Sequence, residues 1–407
     1  MPVDLSAIPD VARRTRQPSA KRWFVILLIF MVFGGFLTSW LWPIHNNSAR
    51  GPLFWHCFIS APLAIWVVLF GLRWLAWLST VWPANGWDDE REQDIENEIQ
   101  RGQCFLILDF ASVRLPHVVT SGALTEQFLL PQGIKLPSVI DAATQSVSYI
   151  AQFSDKSLPA AERIQNRLRE ILSDPLLKTG LYECQKKKSL QVILQIDSSI
   201  YLSSDELADI RKRMITLLPV SNIQISPYFG MSDIDKWLDN PESMDTLLLL
   251  SVCIRATVSD GEGEAAVALL LHSEAGEGFN SNMAVRFHRP EQSKDTKSLL
   301  STAMQALVWG KTHAADIQSL WFSGMGTENK TQSLLSENKF RFPRAEASAQ
   351  IIDIDLKTGR TGVVSPWIAI ALAAGHSCTL PFPQLIMSAS EEEDPWWVVI
   401  RSGKESY

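Results

Sequence analysis

Two long apolar runs open the chain, and shorter apolar segments of alternating strand and helix character fill the rest. The first run, Trp23 to Trp42 (WFVILLIFMVFGGFLTSWLW), holds twenty residues and no charge. At about 1.5 Å per residue that length crosses a hydrocarbon core of about 30 Å, so the run predicts a transmembrane helix. A second run of the same length, Leu53 to Leu72, carries His56, Cys57, Ser60 and Pro62. A neighbouring helix can supply the hydrogen bond that such a proline removes. The short turn-rich segment between the runs makes the pair a hairpin over residues 23–82. Trp74, Trp77 and Trp82 beside Arg73 then read as an interfacial belt. A cleaved signal peptide is the competing reading of the first run. Its apolar part would be too long, and no A-x-A-like site follows it.

Arg13, Arg14, Arg16, Lys21 and Arg22 precede the first run, and Arg50 alone lies in the connecting loop. The excess of basic residues at the start places the N-terminus (residues 1–22) on the cytoplasmic side of a bacterial inner membrane. Two crossings return the remaining chain to that side. The next stretch, Gly86 to Cys104 (GWDDEREQDIENEIQRGQC), is densely charged with helical spacing at Ile95 and Ile99, and predicts a solvated stalk over 83–104. Asp88, Asp89 and Glu90 suit the positive end of a helix dipole there, a simpler role than paired catalytic carboxylates.

From Phe105 to Tyr407 the pattern predicts one α/β body. Strand candidates are FLILDF (105–110), LQVILQID (190–197), the apolar runs at 244–258 and 264–273, IQSLWFSG (317–324) and PWWVVIRS (395–402). Helix candidates are 160–172, with Ile164, Leu168 and Ile171 on one face, 203–218 behind a Ser or Asp cap, and the apolar segments 299–310 and 365–376. Strand and helix in alternation imply a sheet covered by helices.

Charge changes the picture in one respect. The chain carries 37 basic and 44 acidic residues, a net −7, yet its first 80 residues are net positive. The acidic body therefore lacks the clustered Lys and Arg of a nucleic-acid binder. Five cysteines (57, 104, 184, 253, 378) without close pairing agree with a reducing compartment. Seven scattered histidines show no metal-ligand spacing, and no phosphate loop, H-E-x-x-H, C-x-x-C or G-x-S-x-G occurs. No metal or cofactor is expected. The acidic segment SDGEGEAA (259–266) reads as a tight turn into a strand, because Asp260, Glu262 and Glu264 would repel a phosphate.

The stretch from Met244 to about Glu337 resembles the β-ketoacyl synthases of the thiolase-like superfamily. MDTLLLLSV resembles their D-x-A-L strand, Gly261 to Leu269 their GEGA-initiated strand, and LLSTAMQALVWGKTHAADIQSLWFSGMGTENK their helix, strand and HGTGT-like turn. Gly359-Arg360-Thr361, ahead of the apolar helix at 365–376, resembles their GHT motif. The resemblance implies a layered α-β-α-β-α body that pairs into a homodimer. It also implies a Cys nucleophile assisted by two histidines, and here the chain departs from the family. Ser323 and Arg360 stand at the two histidine positions, Asp355 falls at the spacing of the family lysine with Lys357 two residues away, and NIQISPYFG (222–230), where the nucleophile belongs, offers only Ser226. Cys184 and Cys253 lie too far away to replace it. The expectation is a non-catalytic, membrane-anchored adaptor that docks a protein partner. Residues 86–104 resemble membrane-anchored accessory proteins of type VI secretion, which implies secretion subunits or effectors as partners. The alternative is an acyl-handling enzyme or acyl-carrier binder. For Arg360, an ion pair with Asp353 or Asp355 is the expected structural role.

Overall fold

The computed structural model describes residues 8–42, 51–117, 124–130, 133–140, 146–187, 190–218, 223–226, 228–241, 246–273, 285–294, 299–325, 342–348, 350–389 and 394–403. It divides into two compact units, Asp4–Glu98 and a body formed by Ile99–Tyr407. In the first unit the first apolar run forms α1 (Ala20–Leu41), and α2 (Pro52–Gly102) follows as one 51-residue helix. The stalk expected at 83–104 is therefore not an element of its own. Its Glu, Asp, Arg and Gln residues are helix-tolerant and simply prolong α2, which passes through Pro83 without ending.

Pro62 leaves a local signature. Just before it, residues His56–Ser60 adopt a π-helical turn, and the Ala61 amide bonds the His56 carbonyl. Pro62 has no amide to offer the Cys57 carbonyl, and the Thr38 hydroxyl of α1 lies 3.2 Å from that oxygen. Gly34 and Gly35 make this approach feasible: a Cβ on Gly34 would stand 2.2 Å from the Pro62 ring, and one on Gly35 2.8 Å from Phe58. Away from this seam the apolar side chains of both helices face outward, as Val32, Phe36, Val68 and Leu72 do.

The N-terminal arm lies along α2. Arg91 donates to the Pro9 carbonyl, the Ala12 amide donates to Asp88, Arg14 pairs with Asp88 at 2.7 Å, and the Trp77 indole donates to the Thr15 carbonyl. Amide and guanidinium together hold the Asp88 carboxyl below its ordinary range.

The body opens with β1 (Phe105–Arg114), α3 (Leu124–Leu129), β2 (Ser138–Ile140), β3 (Val147–Tyr149), α4 (Ala160–Leu172) and α5 (Pro175–Lys187). Then come β4 (Leu190–Ser198), α6 (Ser204–Leu217), β5 (Gln224–Ile225), α7 (Met231–Asp239), β6 (Thr246–Ile254) and β7 (Ala265–Ser273). The second stretch holds β8 (Val285–His288), β9 (Glu291–Gln292), α8 (Leu299–Trp309), β10 (Ser319–Ser323), α9 (Pro343–Ala347) and β11 (Ile351–Asp353). It closes with α10 (Asp355–Thr358), α11 (Ser365–Thr379), β12 (Gln384–Ser388) and β13 (Trp396–Ser402). Ser203 and Glu206 form the capping box that starts α6.

The sheet order is β5-β4-β6-β7-β1-β8-β13-β12-β10-β11, with β9 against β13. It consists of two halves of one design. β4 lies parallel to β5 and β6, β6 antiparallel to β7, and β7 antiparallel to β1. β10, β11, β12, β13 and β8 repeat those relations in the same order. The halves join where β1 and β8 run antiparallel from Phe105↔His288 to Leu108↔Val285.

Alternation along the strands sorts the core into layers. In β6, Leu248, Leu250 and Val252 join the α4, α5 and α6 side chains in one apolar cluster. Leu247, Leu249 and Cys253 face a second cluster built on α7 and α11. Trp321, Ile386 and Val398 of the other half share that central cluster, whereas Phe322, Met387 and Val399 pack with α8 and α9 in a third. The result is helix, sheet, central helices, sheet, helix. β6 and β7 are buried on both faces and accordingly read as largely apolar runs, with Ser251 and His272 among the few polar residues. Among the described residues three helical segments are long and apolar enough to cross a membrane, but the third, Gly362–Thr379, is mostly buried in this body as the central helix.

Candidate functional site

The duplicated topology makes two turns equivalent. Residues 226–230 lead into α7 in the first half, and 359–364 lead into α11 in the second. These are the turns that hold Ser226 and Arg360. The first turn meets the second helix: the Phe229 ring stacks on Trp367 of α11, with centroids 5.9 Å apart and planes 24° apart. A buried polar knot secures this contact. Gln195 of β4 donates to the Phe229 carbonyl at 2.9 Å, and its own oxygen accepts from the Trp367 indole and the Ser251 hydroxyl, each at 2.9 Å. Each of these polar groups thereby finds a partner away from water, so the knot fixes one arrangement of the turn.

Ser226 itself continues the β5 pairing, its amide donating to the Leu194 carbonyl. Ser323 ends β10 opposite Ser388, fully buried, and its hydroxyl has no partner. The Arg360 backbone bridges the turn before β7: its amide donates to the Gly261 carbonyl, and the Gly263 amide donates back to the Arg360 carbonyl. Only glycine permits so close an approach, since a Cβ on Gly263 would stand 1.9 Å from the Thr358 oxygen. Among the described residues no hydrogen bond or ion pair joins any two of Ser226, Ser323 and Arg360.

The ion pair expected for Arg360 does not form. Asp353 accepts from the Asp355 amide, and Asp355 accepts from the Ser365 hydroxyl at the start of α11. The Arg360 guanidinium instead points toward solvent with one contact to the Asp260 carbonyl at 3.5 Å, while its Nε is buried without a partner. Nearness in sequence misled here, because the turn through α10 commits both aspartates locally and pairs Arg360 with the distant 261–263 segment. Lys357 is engaged too: its ammonium bonds the Phe128 and Leu130 carbonyls at the end of α3, and burial holds its pKa below the ordinary lysine value.

Cys253 sits in the middle of the sheet. Burial first, and the nearby Asp197 charge second, push its thiol far above the usual range, so the reactive thiolate is suppressed. Cys184 falls in α5. Met244, Asp245 and Glu337, which carry part of the synthase resemblance, lie outside the described residues. The 259–266 segment is the turn into β7, as expected. Its Glu264 is nonetheless the centre of a buried ionic knot, meeting Arg163 of α4 at 2.6 Å and accepting from the Phe153 and Arg255 amides. Three histidines are core residues, and His272 pairs with Asp109 at 2.9 Å. Among the described residues no three His, Cys, Asp or Glu side chains gather as a metal site.

Neither the Phe229–Trp367 contact nor the Glu264–Arg163 pair was anticipated from sequence. The available signal was Gln195, a polar residue inside an otherwise apolar strand segment. No protein-family model and no curated protein matches the chain. Among solved structures, the ketosynthase from module 1 of the bacillaene synthase of Bacillus amyloliquefaciens superposes with a TM-score of 0.51. It is 8% identical, over 75% of this chain and 77% of that one. The fold is thiolase-like. OleA of Xanthomonas campestris matches with a TM-score of 0.45 at 12% identity, over 74% of this chain and 98% of its own. For 3-oxoacyl-(acyl carrier protein) synthase III of Pseudomonas aeruginosa the values are 0.40 and 13%, over 74% and 100%. At 8% identity the likeness to the ketosynthase shows the fold alone and leaves the chemistry to the residues of this chain.

Proposed function

We propose that this chain is a membrane-held, non-catalytic adaptor whose thiolase-like body docks a protein partner. The observation that carries the reading is the turn into α7. In the stretch where the synthase resemblance places a nucleophile, the chain offers only Ser226, and the neighbouring Phe229 is held by stacking on Trp367 and by the Gln195 bond to its carbonyl. Ser226 has its amide in the sheet and no base bonded to it, and a serine hydroxyl without a base is a weak nucleophile. A guanidinium at the position of a histidine offers donors only and cannot shuttle a proton as an imidazole does. The resemblance of residues 86–104 to type VI secretion accessory proteins points to secretion subunits or effectors as the partner.

The test uses the full-length chain in detergent. Incubated with malonyl and acyl thioesters, it should release neither free thiol nor carbon dioxide above a protein-free blank. Turnover abolished by Ser226→Ala would overturn the reading. Crosslinking in native membranes followed by affinity purification should retain a stoichiometric protein partner.

A second reading, an acyl-carrier or acyl-group binder, is favoured by the ketosynthase-like architecture together with the buried, unpartnered Ser323 and Thr361 hydroxyls. Saturable binding of an acyl-loaded carrier without turnover would select it.

A further inference from the structure

Four cations of the Asp4–Glu98 unit stand within about one helical turn of one another along the hairpin. The Trp66 indole donates to the Trp23 carbonyl at 2.9 Å, and the Trp23 ring packs edge-on against Phe70, 5.3 Å between centroids. The start of α1 is thus level with residues 66–70 of α2, and Lys21 and Arg22 fall close to the level of Arg73 and Trp74. Thr15 is tied to Trp77 and Thr80, which sets Arg16 about one turn further along. Arg16, Lys21, Arg22 and Arg73 are all exposed. Among the described residues none of the four has an ion-pair partner, whereas Arg14, one turn outward, is already paired with Asp88. The acidic run begins at Asp88, about 20 Å beyond Arg73 along the helix at the usual rise. That separation exceeds the roughly 8 Å Debye length of physiological salt, so the acidic run does not neutralise the collar. Trp74 and Trp77, the ring pair at this level, are amphipathic side chains suited to the headgroup region.

We infer that Arg16, Lys21, Arg22 and Arg73 form a collar that binds the phosphate groups of anionic phospholipids where the hairpin, read as crossing a bilayer, leaves the hydrocarbon. Folding of the arm against α2 builds the collar, because it carries Arg16 back beside α2 instead of leaving the N-terminus free. Clusters of this size next to a span select anionic over zwitterionic lipid, each cation contributing about a fivefold preference. The collar is independent of whether the body is catalytic.

Native mass spectrometry of the full-length chain, released from detergent after equilibration with equal amounts of phosphatidylglycerol and phosphatidylcholine, reads the preference directly. The wild type should retain phosphatidylglycerol at least about tenfold over phosphatidylcholine. The combined variant Arg16→Gln, Lys21→Gln, Arg22→Gln, Arg73→Gln should retain the two equally. A second variant, Arg16→Lys, Arg22→Lys, Arg73→Lys, should keep the preference, separating loss of charge from loss of fold. Equal retention by the wild type would overturn the inference. So would a preference that survives in the glutamine variant, is lost in the lysine variant, or is displaced by millimolar inorganic phosphate.

Discussion

Removing the carboxylate of Glu264 tests whether the first half of the body depends on its buried ionic knot. Glu264 is fully buried and Arg163 nearly so, with the two charges 2.6 Å apart. The same carboxylate accepts from the Phe153 amide at 2.8 Å and the Arg255 amide at 2.9 Å, so one side chain ties α4, the 151–155 segment and the end of β6 together. Glu264→Ala leaves a buried guanidinium with only the Arg255 carbonyl and Asp155, at 3.1 and 3.4 Å. Breaking a buried pair from one side costs about 3–5 kcal/mol, most of it from the charge left behind. For a body of this size that is roughly 5–8 °C in melting temperature. Thermal unfolding of the full chain in detergent, followed by near-ultraviolet circular dichroism, reports it. The double change Arg163→Met, Glu264→Leu should recover part of the loss, because it removes both charges and fills the volume while the Phe153 and Arg255 amides stay without their acceptor. A single-variant shift below about 1 °C, or a double variant worse than the single, would refute the reasoning.

His288 should make stability fall with acidity. Burial, then the charges of Arg401 and Arg286, push its pKa down to about 3 from an ordinary 6.5, so the folded state refuses a proton that the unfolded chain accepts. The stabilisation is complete above pH 6.5 and is lost as pH falls toward 3, with a loss of roughly 3 kcal/mol already at pH 4.5. His288→Gln should flatten this slope in denaturant titrations across that range. Arg360→Met should move the melting temperature little, within about 0.5 kcal/mol, since Arg360 is part-exposed and has no ion pair. A large loss would restore a structural role. Thr38→Val should weaken the hairpin by at most about 1 kcal/mol in detergent unfolding, because it removes a hydroxyl shared between the Gly34 carbonyl at 2.8 Å and the Cys57 carbonyl at 3.2 Å.

Much of the body was legible where a strand is buried on both faces. The segments at 105, 190, 246, 265, 319 and 396 are predominantly apolar, with few polar interruptions such as Asp109 and Gln195, and each is a strand. β8 escaped because VRFH alternates with charge, β12 because QLIMS is short and follows two prolines, and α7 because MSDIDKWLD is brief and acidic. The duplication was invisible, since the equivalence of β4 and β10 lies in pairing and direction, not in side chains. At the site, the Gly359-Arg360-Thr361 turn was found through its glycine and the helix behind it. Its partners were not, because Arg360 meets residues 261–263 and Phe229 meets Trp367 across distances in sequence that no local pattern encodes.

The two-part sheet sets an order for biosynthesis. Residues 105–273 contain every strand of the first half and residues 285–402 every strand of the second, so each can form as a cooperative unit as it leaves the ribosome. The first unit cannot be finished alone. Ile234, Trp237 and Leu238 of α7 belong to the same buried cluster as Trp321, Trp367 and Val398, which are synthesised later. Until those arrive, a wide apolar face stays open. A nascent chain at that stage would present that face to chaperones until the second half is complete.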